Sequence, residues 1–210
     1  MKKFSLFMLA LFVTLQVGAQ TKLSAQQQNQ IISKIESTAA ATKSMQCQFT
    51  QTKSMKMLSK KMVSKGVMYF KQGNKLRWQY TSPYDYTFLL NGDKAMLKSA
   101  KTTQYINAKN NKIFRQVNDI VMKSVMGSGL RKSNDFSFEM YRTGNQVWAR
   151  LLPKKKELKQ VYTSIEIYLN PEQTLVTSVK MMEKTGDVTV VNLQNVKTNI
   201  AIDEKVFAIH

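Results

Sequence analysis

From Met45 to Val196 the chain is dominated by period-two alternation, broken at short intervals by turn residues, and that pattern commits it to antiparallel strands. Met45, Cys47 and Phe49 alternate with Gln46, Gln48 and Thr50, as in a strand with one buried face. Residues 67–70 form a continuous apolar stretch closed by Gln72-Gly73-Asn74. Leu76, Trp78 and Tyr80 then alternate with Lys75, Arg77 and Gln79 until Ser82-Pro83 ends the strand. Residues 84–90, with Phe88 and Leu90, lead into the turn Asn91-Gly92-Asp93, and residues 95–97 and 104–106 read as two short strands. Strands resume over residues 136–141, turn at Thr143-Gly144-Asn145 and continue over 147–152. Residues 161–169 alternate up to Asn170-Pro171, and 175–182 with 188–196 make a hairpin around Lys184-Thr185-Gly186-Asp187. Such a series of about eleven strands joined by short turns predicts a large curved antiparallel sheet or barrel.

Two segments depart from that period. Ser24 is placed to cap a helix running to about Thr38, with Ile31, Ile32 and Ile35 on one side and Gln26, Gln27, Gln28 and Lys34 polar. Asn118-Asp119 caps a shorter mid-chain helix in which Ile120, Val121, Val125 and Met126 are apolar, stopped by Gly127-Ser128-Gly129. Both are expected on one face of the sheet. With no repeat and no Pro-rich or Ser-rich linker, residues 20–210 read as one domain.

Ahead of that domain stands a three-part export leader. Lys2 and Lys3 are basic, residues 4–17 are mainly apolar, and Val17-Gly18-Ala19 offers the small residues of a cleavage site before Gln20. The apolar run is shorter than the ~20 residues that span a bilayer, so cleavage, and a periplasmic location, is expected for the mature chain.

Charge and composition narrow the function. Lys plus Arg number 32 against 13 Asp plus Glu, a net +19, and loss of Lys2 and Lys3 takes it to +17. A field of that sign favours anionic partners, although lysines spread along the chain equally fit a solvated basic surface. The one histidine is His210 and the one cysteine is Cys47, so no histidine-based triad and no His-rich or Cys-rich metal site is expected. Cys47, in step with Met45 and Phe49, reads as a small core residue. Gly127-Ser128-Gly129 lacks the lysine and the preceding strand of a phosphate loop. Few carboxylates remain for acid–base work, and neither an enzyme nor a cofactor is expected. Arg77, Trp78 and Tyr80 put aromatics beside a cation, yet the rings share a face with Leu76 while Arg77 points away, so nucleic acid is not expected as a partner. Methionine is in excess, with Met45, Met55, Met57, Met62, Met68, Met96, Met122, Met126 and Met140 among the thirteen. Its flexible thioether suits surfaces that accept varied apolar ligands, and it equally fills gaps in an ordinary core.

In order along the chain, Gln48-Phe49-Thr50-Gln51, Gly66-Val67-Met68-Tyr69-Phe70, Leu76-Arg77-Trp78-Gln79-Tyr80 with Pro83, Asn91-Gly92-Asp93, Gly186-Asp187-Val188-Thr189, Asn192, Asn199 and Phe207 resemble the outer-membrane lipoprotein carrier family, the LolA-like periplasmic chaperones. The resemblance implies an incomplete, strongly curved antiparallel β-barrel of eleven strands whose mouth is lidded by helices. It implies an apolar interior that carries acylated lipoproteins from an inner-membrane ABC transporter to an outer-membrane acceptor, as a monomer. A carrier of another envelope lipid or acylated product would share that interior. Residue by residue, the resemblance places Met68, Phe70, Leu76, Trp78, Tyr80, Phe88 and Leu90 on the lipid-binding wall, and Ile120, Val121, Val125 and Met126 on the lid. Many members carry Arg-Pro where this chain has Gln72-Gly73, the Arg bonding to the lid; Gln72 offers the lid an uncharged contact.

Overall fold

A computed structural model describes residues 20–108 and 133–209. The expected mid-chain helix with Ile120, Val121, Val125 and Met126, the leader over residues 1–19, and His210 lie outside the described residues. Within them, the strands are β1 (Thr21–Lys22), β2 (Ser44–Met55), β3 (Lys60–Lys71), β4 (Lys75–Ser82), β5 (Tyr86–Asn91), β6 (Lys94–Ser99) and β7 (Thr103–Asn107). They continue with β8 (Phe136–Thr143), β9 (Gln146–Pro153), β10 (Tyr162–Leu169), β11 (Val176–Glu183) and β12 (Val188–Thr198). Helices α1 (Ala25–Ala41) and α2 (Lys156–Val161) and a 3₁₀ turn (Glu204–Phe207) complete the set.

All the strand pairs are antiparallel, in one sheet ordered β1-β8-β9-β10-β11-β12-β2-β3-β4-β5-β6-β7. The sheet is strongly curved and not closed, as expected for an incomplete barrel. Twelve strands stand where eleven were expected, and the addition is the two-residue β1 at an edge, too short to show a period. Two other boundaries differ. β3 begins at Lys60 rather than near Val67, because residues 60–63 are exposed and write no alternation. Val161 ends α2 instead of opening a strand; Leu158 is the one buried residue of this short, basic helix.

Ser24 caps α1 as expected, and Gln27 completes the capping box: the Gln27 backbone N–H donates to Ser24 Oγ and the Ser24 N–H to Gln27 Oε1. Ile31, Ile32 and Ile35 pack on the sheet face formed by Met140, Val147, Ala149, Leu151, Ile165, Ile167 and Val179. We call this the inner face. The outer face behind β3–β6 is sealed by the C-terminal segment, whose Ile202 and Phe207 cluster with Leu89 and Met96. Arg77 donates to the Val206 carbonyl, Asn91 to the Phe207 carbonyl, and Glu204 pairs with Lys71 and Lys75.

Strand polarity gives the sheet two ends. Turns at residues 72–74, 92–93, 144–145 and 170–175 lie at one; those at 56–59, 83–85, 100–102 and 184–187 lie at the other.

Candidate functional site

Register brings the expected wall residues together on the inner face of β2–β7. Phe70 stands opposite Met45 and Leu76, and Leu76 opposite Leu90. One rung along, Met68 stands opposite Cys47 and Trp78, and Trp78 opposite Phe88. In the next rung Gly66 lies between Phe49 and Tyr80. The seven described residues of the expected site thus share one surface, since alternate side chains of paired strands line one face. Met68, Phe70, Leu76 and Leu90 are buried, while Trp78, Tyr80 and Phe88 keep part of their surface open.

Sequence reading did not pick out Phe49 as the organiser of this wall. Its ring stacks on Trp78 with centroids 4.2 Å apart and meets Tyr80 edge-on at 5.2 Å. That position exists only because residue 66 is glycine. A Cβ there would lie 2.0 Å from the Gln79 carbonyl oxygen and 2.4 Å from the Phe49 ring. The β3–β4 register shifts between Lys65 and Gly66, so a pairing irregularity and a side-chain-free position coincide there. Ala95, Ile106, Val191 and Leu193 join the same cluster. Both Phe49 and Gly66 lie in recognisable motifs; only the strand register shows that they touch.

Polar chemistry on the wall is sparse and satisfied. The Tyr80 hydroxyl donates to Gln51 Oε1 at 2.9 Å, and burial above all pushes its phenol upward. Burial pushes the Cys47 thiol up to about 12, so this 1 % exposed side chain is an apolar spacer, as its alternation indicated. Among the described residues no three His, Cys, Asp or Glu side chains gather as a metal site would require. What such a surface does chemically is exclude water from hydrocarbon.

Gln72, expected as the lid contact, sits in the β3–β4 turn, and its Nε2 donates to the Ala40 and Thr42 carbonyls at 3.2 and 3.3 Å. These are carbonyls at the C-terminal end of α1, where the helix leaves acceptors unfilled. Elsewhere, a cleft of about 910 Å³ between α1 and the sheet is lined by Gln26, Gln30, Ile31, Lys34, Arg142 and Gln173 among others.

Comparison with known proteins gives a consistent answer. The family model "Outer membrane lipoprotein carrier protein LolA" matches residues 40–210. An outer-membrane lipoprotein carrier protein of Methylococcus capsulatus is 23% identical over 176 residues, covering 83% of this chain and 81% of the relative. Among solved structures, an uncharacterized conserved protein from Thermus thermophilus aligns with TM-score 0.53 and 9% identity, covering 88% of this chain and 95% of that one. MucA/MucB of Pseudomonas aeruginosa aligns with TM-score 0.51 and 12% identity, covering 86% of this chain and 60% of that one. The two structures share the fold. With its model matched from α1 to the C-terminus, this chain belongs to the outer membrane lipoprotein carrier protein LolA family.

Proposed function

We propose that the protein is a periplasmic chaperone that shelters the acyl chains of lipoproteins against the inner face of β2–β7 and carries them from the inner to the outer membrane. The observation that carries the reading is the partial exposure of Trp78, Tyr80 and Phe88 on a cluster whose other wall residues, Met45, Phe49, Met68, Phe70, Leu76 and Leu90, are buried and apolar. Each CH₂ removed from water gains ~0.8 kcal/mol, so lipidated protein does not cross an aqueous gap unescorted. A carrier must hold such chains and also release them. A wall of rings and thioethers suits that task, because it makes many weak, non-directional contacts and few hydrogen bonds. Family membership and the export leader support the periplasmic setting. An inner-membrane lipoprotein-releasing ABC transporter is the proposed donor and an outer-membrane acceptor the proposed recipient. The carrier works as a monomer and needs no catalytic group.

Native mass spectrometry of the protein purified from an envelope extract tests the cargo. Co-purified lipoproteins are the expected result. Free lipids without lipoprotein would instead make it a carrier of another envelope lipid or acylated product, and an empty wall under all conditions would contradict both.

A further inference from the structure

The β2–β3 hairpin carries the most exposed large apolar side chains among the described residues. β4 pairs with β3 from Lys71 back to Lys65 and then ends, while β3 runs on to Lys60. The outer part of the hairpin therefore projects past β4, with no strand of the described residues along that edge. At its tip, Lys56 to Ser59 form a tight turn closed by a Ser59 N–H to Lys56 carbonyl bond. The residues inside that turn are Met57 and Leu58, 92 % and 66 % exposed. Turns favour Gly, Asn, Asp, Pro and Ser for backbone reasons, and neither Met nor Leu offers any of those advantages. Val63, 51 % exposed, and Met62, 37 % exposed, follow on opposite faces of the arm.

Cations surround this apolar tip. Lys56, Lys60 and Lys61 pair with none of the described carboxylates, whereas Lys53, at the base, is neutralised by Glu183 and Asp187. The base is also held firm. Asp187 Oδ1 accepts from the Lys56 backbone N–H at 3.0 Å, and Gly186 lies so close to the Lys56 stem that a Cβ would sit 2.6 Å from its Cδ. The adjacent turn carries Tyr84, 50 % exposed, whose ring lies 6.3 Å from Tyr80 on the inner wall. The finger thus stands at the end of the sheet to which the wall's aromatic run leads, opposite the end held by Gln72.

We propose that this hairpin docks the protein on an anionic phospholipid surface, with Met57 and Leu58 entering the acyl region and Lys56, Lys60 and Lys61 meeting phosphate headgroups. Apolar groups at the apex, ammonium groups one step back and an aromatic at the flank match the layers of a bilayer interface from hydrocarbon outward. A protein partner would have to supply an apolar pocket rimmed by carboxylates to match this tip. The inference goes beyond the carrier role and does not rest on it, since cargo and docking occupy different surfaces.

Co-flotation of the unliganded full mature chain with vesicles tests it. The protein is expected to float with vesicles of equal parts phosphatidylcholine and phosphatidylglycerol, and not with phosphatidylcholine alone. Met57→Ser/Leu58→Ser is expected to weaken that binding by at least about tenfold, with an unchanged circular dichroism spectrum and melting temperature. Lys56→Gln/Lys60→Gln/Lys61→Gln is expected to weaken it comparably, and Lys34→Gln/Lys94→Gln/Lys197→Gln, with equal charge loss elsewhere, much less. Docking through the hairpin is overturned if the wild type stays unbound, if the Met57/Leu58 variant floats unchanged, or if both lysine variants lose binding equally. It is also overturned if the Met57/Leu58 variant abolishes self-association in sedimentation while vesicles bind neither protein, which would make the tip a contact between copies.

Discussion

The two halves of the inner face are built from one continuous sheet and end in different states. Over β8–β11 the protein supplies its own cover. Ile31, Ile32 and Ile35 of α1 close on Val147, Ala149, Ile165 and Ile167, aliphatic against aliphatic, all 5 % exposed or less. Over β2–β7 the lining turns to rings and thioethers, and Trp78, Tyr80 and Phe88 remain partly open. Branched aliphatic side chains have few rotamers and lock a helix in one place, whereas the flexible thioether of methionine tolerates a changing neighbour. Under the proposed function, one half is scaffold and the other is kept adaptable, with its outer side sealed by the C-terminal segment.

Substitutions can break this comparison, beginning with the glycine that lets the Phe49 ring reach the wall. Gly66→Ala is expected to cost more than about 4 kcal/mol, because the clash is with a backbone carbonyl as well as the Phe49 ring. Chemical denaturation measures it, and a loss under about 1 kcal/mol would mean the packing of Phe49 does not depend on that glycine. In the scaffold half, Ile35→Ala is expected to cost about 3 kcal/mol through the cavity it leaves. In the adaptable half, Phe88→Ala is expected to cost less, about 1–2 kcal/mol, because part of the ring is already exposed, while weakening capture of an acylated lipopeptide. Equal stability losses with unchanged capture would erase the distinction between the halves. Leu76 is a poorer probe of capture, since at 1 % exposure its replacement also reports on the fold.

The smallest effect concerns the seal. Lys71 and Lys75 hold the Glu204 carboxyl down to about 2 from an ordinary 4.5. A carboxyl lowered on folding adds stability above pH 4.5 and loses it as pH falls toward 2. Glu204 is 59 % exposed, so the gain is modest and screened by salt. Glu204→Gln is expected to lower the melting temperature slightly at neutral pH in dilute buffer, and to match the wild type in acid or high salt. A gap that persists at pH 2 would place the effect outside this ion pair.

Much of this was legible in the chain because burial writes periodicity. The wall strands announced themselves through Met45-Cys47-Phe49 and Leu76-Trp78-Tyr80, and the three isoleucines through their helical spacing. Features hidden from sequence are those whose physics is non-local or solvent-facing. Gly66 and Phe49 lie far apart in the chain, and nothing local says that one makes room for the other. Residues 60–63 carry no buried face and so no pattern, which is why the projecting hairpin was invisible. Gln72 was recognisable by its position, yet only the fold shows it meeting the last carbonyls of α1. Pairing of Glu204 with Lys71 and Lys75 is likewise a product of the C-terminal segment folding back.

The chain's two tryptophans report on opposite faces. Trp78 lies on the adaptable inner wall, and Trp148, stacked between Tyr141 and Tyr168, lies on the outer face. Single-tryptophan variants Trp148→Phe and Trp78→Phe, titrated with a lipopeptide bearing brominated acyl chains, measure contact through quenching. If β2–β7 shelters hydrocarbon, Trp78 emission is quenched and Trp148 emission is not. Quenching of Trp148 alone, or of neither while the lipopeptide demonstrably binds, would contradict an acyl-binding inner wall.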